Sequence, residues 1–234
     1  MNNIVRATLV ADAVQRARIE ALQTAFASVC NALAVTVQKT NCWSRVGLHH
    51  LMYKELRERF PQMGSQMICN AIYSVSRTSR RIFQHPDSPW AVQRRPLTPL
   101  PLLQFSPSAP VYFDRHTVSL KNQTLSMYTL DGRMRFQIGL SLPDRTRFVA
   151  EKLSEVVLLN APAGFELVFL FSPEGDAPLD KSAADAEMPE YVVILPPPPA
   201  HELAHGPIPL ALVHEPVPMT PATLTPLSET VHVP

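Results

Sequence analysis

The sequence predicts an α+β fold: a small antiparallel β-barrel or sandwich, an inserted bundle of three helices, and a largely disordered, proline-rich C-terminal tail. Over the first 85 residues apolar side chains recur every three or four positions, which is typical of helices. Between residues 111 and 171 the period falls to two, which is typical of strands. The chain of 234 residues also holds 24 prolines against 7 glycines, so part of it cannot be a regular domain.

The helical part is expected to follow a short first strand at residues 1–11 and to occupy residues 12–95. Within it, the apolar spacing predicts helices at 13–39, 45–60 and 66–83. Asp12 and Ser65 are the expected N-caps of the first and third helices, because their side chains accept from free backbone N–H groups. Pro61 is expected to end the second helix, since its ring cannot continue one.

A proline-rich connector is expected at residues 96–110, followed by the barrel at residues 111–178. The period of two predicts strands at 111–120, 125–130, 133–140, 155–159 and 165–171. Asp131-Gly132 is a typical two-residue hairpin turn. In the third of these strands Arg133 and Arg135 alternate with apolar residues, so one face should be buried and the other basic.

The last part of the chain, residues 179–234, is acidic and rich in proline. After one apolar run, Tyr191–Leu195, the final 39 residues contain 11 prolines and no periodicity. Such a segment buries too little apolar surface to offset the entropy of ordering, so a disordered tail is expected.

The net charge of +1 conceals a separation of charge along the chain. Residues 1–95 carry 13 Lys or Arg against 5 Asp or Glu, whereas residues 151–234 carry 2 against 12. The front part would attract polyanions, although basic helices that merely face solvent give the same pattern. The candidate phosphate contacts are Arg77, Arg80, Arg81, Arg94, Arg95, Lys121, Arg133, Arg135, Arg145 and Arg147.

Motifs for catalysis are scarce. There is no dinucleotide fingerprint, P-loop or nucleophile elbow, and three cysteines without a CxxC pair indicate neither a disulfide framework nor a thiolate zinc site. This cysteine usage fits a reducing compartment, and no secretion signal or membrane-spanning segment is recognised, so we expect a cytoplasmic protein without a cofactor or a membrane partner.

One literal motif, HELAH at residues 201–205, matches the zinc-protease pattern HExxH. In that pattern His201 and His205 would bind zinc and Glu202 would act as general base. Prolines on both sides leave room for about one and a half turns of helix, which disfavours this site. A small zinc hydrolase is therefore one alternative, and an adaptor whose PPPP segment at 196–199 binds an aromatic groove is another.

The order of elements, together with several stretches of sequence, resembles the N-terminal half of TnpB-like transposon-encoded, RNA-guided nucleases, relatives of the type V CRISPR effectors. The stretches in the helical part are CNALA at 30–34, LHHLMYKELRERFP at 48–61 and GSQMICNAIYSV at 64–75. Those in the strands are VYFDRHTVSL at 111–120, SMYTLDGRMRFQI at 126–138 and EVVLLNAPAGFELVFLFSPE at 155–174. The resemblance covers about residues 4–178 and implies a wedge domain, which is a small antiparallel β-barrel of the OB-like type, with an inserted helical recognition bundle.

The chain departs from this family where the nuclease domain should begin. Members continue into a RuvC-like nuclease with a metal-binding aspartate, whereas this chain reads YVVILPPPPA at 191–200. Cleavage by two metal ions needs that acidic cluster, so the resemblance implies a protein that is not an enzyme. It implies a nuclease-less module that binds a structured, guide-like RNA and also duplex DNA. Three roles are open for such a module: a regulator, a subunit beside a separately encoded nuclease, or a decaying transposon remnant.

Overall fold

The computed structural model describes residues 4–95, 99–121, 123–162, 164–172 and 189–197. Within them the chain forms four helices and nine strands. The helices are α1 (Ala13–Thr40), α2 (Arg45–Arg59), α3 (Ser65–Phe83) and α4 (Leu142–Ala150). The strands are β1 (Ile4–Leu9), β2 (Leu102–Phe105), β3 (Val111–Phe113), β4 (Val118–Lys121), β5 (Thr124–Thr129), β6 (Gly132–Gln137), β7 (Leu153–Ala161), β8 (Gly164–Phe171) and β9 (Val192–Leu195).

The first three helices agree with the sequence periodicity to within one residue. Asp12 caps α1 as expected: its carboxylate accepts from the Gln15 backbone N–H at 2.8 Å, and the Gln15 side chain accepts from the Asp12 N–H at 3.1 Å. This reciprocal capping box satisfies two free N–H groups. The expected cap of α3 was wrong, since Gly64 occupies the N-cap position and makes no side-chain hydrogen bond.

The strands form three antiparallel sheets, in the orders β1-β8-β7-β3, β4-β5-β6 and β2-β9. None of them closes on itself, so the expected OB-like barrel is absent from the described residues. The single strand expected at 111–120 is broken by a turn in which the Asp114 carboxylate accepts from the N–H groups of His116 and Thr117. This turn sends β3 into one sheet and β4 into another.

Two further elements were not expected from the sequence. Strand β2 lies in the proline-rich connector, where the Asn31 side chain donates to the Phe105 carbonyl at 3.1 Å and accepts from its N–H at 2.7 Å. Helix α4 begins after Ser141, which caps it, and rests on the first sheet through Phe148. In each case a partner distant in sequence holds the segment.

Part of the expected tail is also ordered. Strand β9 pairs with β2 along its whole length, and the Tyr191 hydroxyl lies 3.3 Å from that of Thr78 on α3. The Tyr191 ring also lies 6.4 Å from that of Phe105. Residues 189–197 of the segment expected as a largely disordered tail are therefore part of the fold, and the rest of 179–234 falls outside the described residues.

The helices share one core with the sheets and do not form a separate domain. Apolar residues predicted for the buried side of α1, among them Leu22, Phe26 and Leu33, are fully buried in a cluster that continues to Phe113 and Phe169 in the first sheet. Among the described helices α1 alone is long and apolar enough to cross a membrane, and 56% of its most apolar window is buried in this core.

Replacing Phe148 by alanine should release α4 from the first sheet. The Phe148 ring lies 5.0 Å from those of Phe169 and Phe171, and no residue of α4 is fully buried. We expect the amides of residues 142–150 to lose hydrogen-exchange protection while those of β8 keep theirs. Protection retained in α4 would contradict this account of its docking.

Candidate nucleic-acid interface

The sheet β4-β5-β6 has one apolar face and one polar face. The inward residues are buried or nearly so: Val118, Leu120, Leu125, Met127, Thr129, Met134, Phe136 and Ile138. The outward residues are Ser119, Lys121, Thr124, Ser126, Tyr128, Arg133, Arg135 and Gln137. This outward set holds three cations and no carboxylate, as the alternation in β6 predicted for Arg133 and Arg135.

The strand register places these outward residues in cross-strand rows. Arg135 lies opposite Ser126, Arg133 lies opposite Tyr128, and Lys121 lies opposite Thr124. Directly opposed side chains have Cβ atoms about 5 Å apart, and alternate residues on one strand are about 7 Å apart. The three cations therefore share one small surface without touching an acidic partner on it.

Two of the predicted arginines are held in place by hydrogen bonds. Arg133 donates to the carbonyls of Ser126 at 3.1 Å and His116 at 2.7 Å, across the sheet. Arg145 on α4 donates to the Leu140 carbonyl at 3.0 Å and to the Gln123 side chain at 2.8 Å, which brings it beside the β4–β5 turn. We name Lys121, Arg133, Arg135 and Arg145 together the basic sheet face.

The side chains of Lys121 and Arg135 differ from these two. Within the described residues neither forms a hydrogen bond, an ion pair or a ring contact, and both are exposed. Their charges are therefore available to a ligand without breaking an internal contact.

Arg77 and Arg147 are engaged within the fold. Arg77 forms an ion pair with Glu155 at 3.0 Å, and the Glu155 side chain is only 13% exposed. Arg147 binds Glu151 at 2.7 Å and lies 4.8 Å from the centre of the Phe171 ring. The hydrogen bond from Arg147 lowers the pKa of Glu151, which keeps the pair charged at neutral pH. These two arginines join helices to the first sheet.

The other predicted arginines, Arg80, Arg81, Arg94 and Arg95, lie at the C-terminal end of α3 and in the loop after it. That loop folds back, since the Val92 N–H donates to the Phe83 carbonyl at 2.9 Å. Arg95 lies 4.8 Å above the Trp90 ring. Because the sheet meets α3 at its other end, where the Gly64 N–H donates to Tyr128, this group is separate from the basic sheet face.

Sequence reasoning did not single out three further arginines, Arg45, Arg57 and Arg115. Arg45 lies 5.5 Å above the Tyr73 ring on α3, and Arg57 donates to the Met63 carbonyl in the α2–α3 loop. Local charge gave no signal for Arg57, since Glu55 and Glu58 lie beside it in the chain. Only the packing of α2 on α3 distinguishes Arg45 and Arg57 from arginines that face solvent.

The described residues contain no group of three or more His, Cys, Asp or Glu side chains able to hold a metal ion. His201 and His205 of the HELAH motif lie outside those residues, so the zinc alternative stays an untested prediction. The proline-rich adaptor alternative is likewise untested. Its PPPP segment spans residues 196–199, and the structure describes only Pro196 and Pro197.

Comparison with known proteins gives no family for this chain. No protein-family model matches it, and no curated protein matches it significantly. The resemblance of the stretches quoted above to TnpB-like proteins therefore stays an untested prediction.

Proposed function

We propose that this protein is a non-catalytic nucleic-acid-binding protein that binds a structured RNA through its basic sheet face. The observation that carries the proposal is the outward face of β4-β5-β6, which presents Lys121, Arg133 and Arg135 and no carboxylate. Arginine is well suited to this role, because its planar group donates to two phosphate oxygens at once. Phosphate groups are thus the ligand chemistry that this surface fits.

The face favours contact with the RNA backbone over contact with bases. Its one aromatic residue is Tyr128, whose hydroxyl accepts from the Gly64 N–H at 2.8 Å and donates to the Gln62 carbonyl at 3.1 Å. These bonds hold the Tyr128 ring against the α2–α3 loop, so the ring is not placed to stack on a base. Paired RNA is recognised mainly through phosphates and 2′-hydroxyls, so binding should tolerate changes of sequence within a stem.

The resemblance to TnpB-like proteins gives this activity a context. Within the proposal, β1 and β3–β8 serve as the wedge domain and α1–α3 serve as the helical recognition region. The protein then acts as a nuclease-less regulator, or as a subunit beside a separately encoded nuclease, with duplex DNA as a second partner. Sequencing the RNA that co-purifies with the full chain from its native host should reveal one enriched, structured species.

The direct test compares two double variants of the full chain in binding to a hairpin RNA. Lys121→Gln/Arg135→Gln should raise the Kd about 10-fold to 100-fold, and should lower the slope of log K against log salt by about 2. Its circular dichroism should not change, because neither side chain has a partner within the described fold.

The matched control is Lys39→Gln/Lys54→Gln, which removes two exposed positive charges elsewhere. The Gln15 side chain on α1 contacts the Arg135 carbonyl. Lys39 lies 24 residues further along α1, which places it about 36 Å from that contact along the helix axis. Equal weakening by both double variants would show a response to net charge and reject this surface. A wild-type chain that binds no hairpin would reject the proposed function itself.

A further inference from the structure

Helix α3 exposes a single line of residues to solvent. Nearly all its other side chains are buried, in contact with α1, α2 and β3. After the first residue, the accessible ones recur at steps of three and four, and we name them the α3 stripe: Gln66, Cys69, Tyr73, Arg77, Arg80 and Arg81. Residues at these steps share one helical face, so the stripe is a continuous surface.

The α3 stripe begins beside the basic sheet face. At its first residue, the Gln66 side chain donates to Asp114 at 2.6 Å. Asp114 forms the turn that holds His116, and the His116 carbonyl accepts from Arg133. Two side-chain contacts and one turn therefore connect the stripe to Arg133.

Arginines from α2 flank the stripe on one side. Arg45 lies over Tyr73, and its charge opposes the rise that burial causes in the pKa of Tyr73 and of Cys69. Arg57 acts on Cys69 in the same sense. The acidic groups near these residues, Asp114 and Glu155, each have a partner on α3, namely Gln66 and Arg77. The charged groups along and beside the stripe sum to a positive charge, because five arginines (Arg45, Arg57, Arg77, Arg80 and Arg81) outnumber the two carboxylates.

The length of the stripe sets the size of a ligand that spans it. Gln66 and Arg80 are 14 residues apart, which corresponds to about 21 Å along the helix axis. A rigid ligand must therefore be at least about 21 Å long to contact the whole stripe, in addition to the part that contacts the basic sheet face.

We propose that the α3 stripe, with Arg45, is a second phosphate-binding track that continues the basic sheet face along one RNA duplex. This inference rests on the proposed function, because the same duplex must occupy the sheet face. Its consequence is a requirement for stem length: short stems reach the sheet face alone, whereas longer stems also contact α3.

The first test measures the Kd of Arg45→Gln for RNA hairpins with stems of 5 and 14 base pairs. We expect the variant to weaken the 14-base-pair complex about 5-fold to 10-fold and to change the 5-base-pair complex less than 2-fold. Arg80→Gln should behave in the same way. The control Lys54→Gln removes the same charge from α2 nine residues away, about 180° around the helix from Arg45, and should have no effect on either stem.

The second test uses Cys69 as a reporter within the stripe. In a Cys42→Ala background, Cys30 is fully buried and Cys69 is the accessible thiol. Burial raises the pKa of Cys69, so alkylation is measured at mildly alkaline pH, where more of the thiolate is present. A saturating 14-base-pair stem should slow alkylation at least 5-fold, and a saturating 5-base-pair stem should not.

The outcomes separate this inference from the proposed function. Equal effects of Arg45→Gln and Lys54→Gln on the long stem, or unchanged Cys69 alkylation in its presence, would overturn the α3 track. The sheet face would then stand if Lys121→Gln/Arg135→Gln weakened both stems. If that double variant bound both stems like the wild type, the proposed function and the α3 track would both be wrong.

Discussion

Replacing Phe136 by alanine should lower the free energy of unfolding by about 3–5 kcal/mol, which corresponds to a fall in Tm of the order of 10 °C. Phe136 is 3% exposed, lies opposite the fully buried Leu125, and belongs to the apolar side of the sheet that carries the basic face. The loss has two parts, the transfer of the ring from water and the cavity that remains. Chemical denaturation of the full chain measures it.

The adjacent residue provides the matched comparison for this prediction. Arg135 points to the opposite side of β6 and is exposed, so Arg135→Gln should change stability by less than about 0.5 kcal/mol. It should instead weaken binding to the hairpin RNA, whereas folded Phe136→Ala should bind nearly as the wild type does. A stable Phe136→Ala variant, or an unstable Arg135→Gln variant, would show that β6 does not have these two sides.

Replacing Ile194 by aspartate should destabilise the protein by about 2–3 kcal/mol. Ile194 lies opposite Leu103, which is 2% exposed, and packs against the common core. A carboxylate there would lose hydration without gaining a partner, and the pairing of β9 with β2 would weaken. Thermal unfolding together with hydrogen exchange at residues 102–105 measures both effects.

Val193→Asp is the control for Ile194→Asp, since it introduces the same group on the same strand. Val193 is 56% exposed and points away from Leu103, so its replacement should cost little. Equal stability of the two variants would mean that residues 192–195 are not part of the folded core. That result would restore the expectation of a tail that begins before β9.

Much of the local structure was predictable from short-range pattern. The helical period and the Asp12 cap define α1 within one residue, and Pro61 follows the end of α2 closely. The hairpin predicted at Asp131-Gly132 joins β5 to β6, but its turn lies one residue earlier: Leu130 and Asp131 form it, and Gly132 begins β6 opposite Thr129. Gly132 has a φ of 96°, a backbone conformation that glycine adopts without strain. The outward direction of Arg133 and Arg135 followed from alternation alone.

The candidate site was predictable only in part, because charge in the sequence does not show which charges are already paired. Arg77 and Glu155 are 78 residues apart, and their ion pair exists only when α3 lies against β7. Arg45 had no local signal, since its place beside Tyr73 depends on how α2 crosses α3. The grouping of Lys121, Arg133 and Arg135 was easier to predict, because two neighbouring hairpins bring these residues together.

The amino-acid sequence by itself determined where the first three helices lie, which side of β6 is basic, and the separation of charge along the chain. These features depend on interactions between residues a few positions apart. Only the tertiary structure decided that β1 pairs with β8, that β9 returns to β2 from the expected tail, and that none of the described sheets closes into a barrel. Strands pair through backbone hydrogen bonds, which nearly any sequence can form. The choice of partner strand therefore depends on how the side chains pack in the whole core.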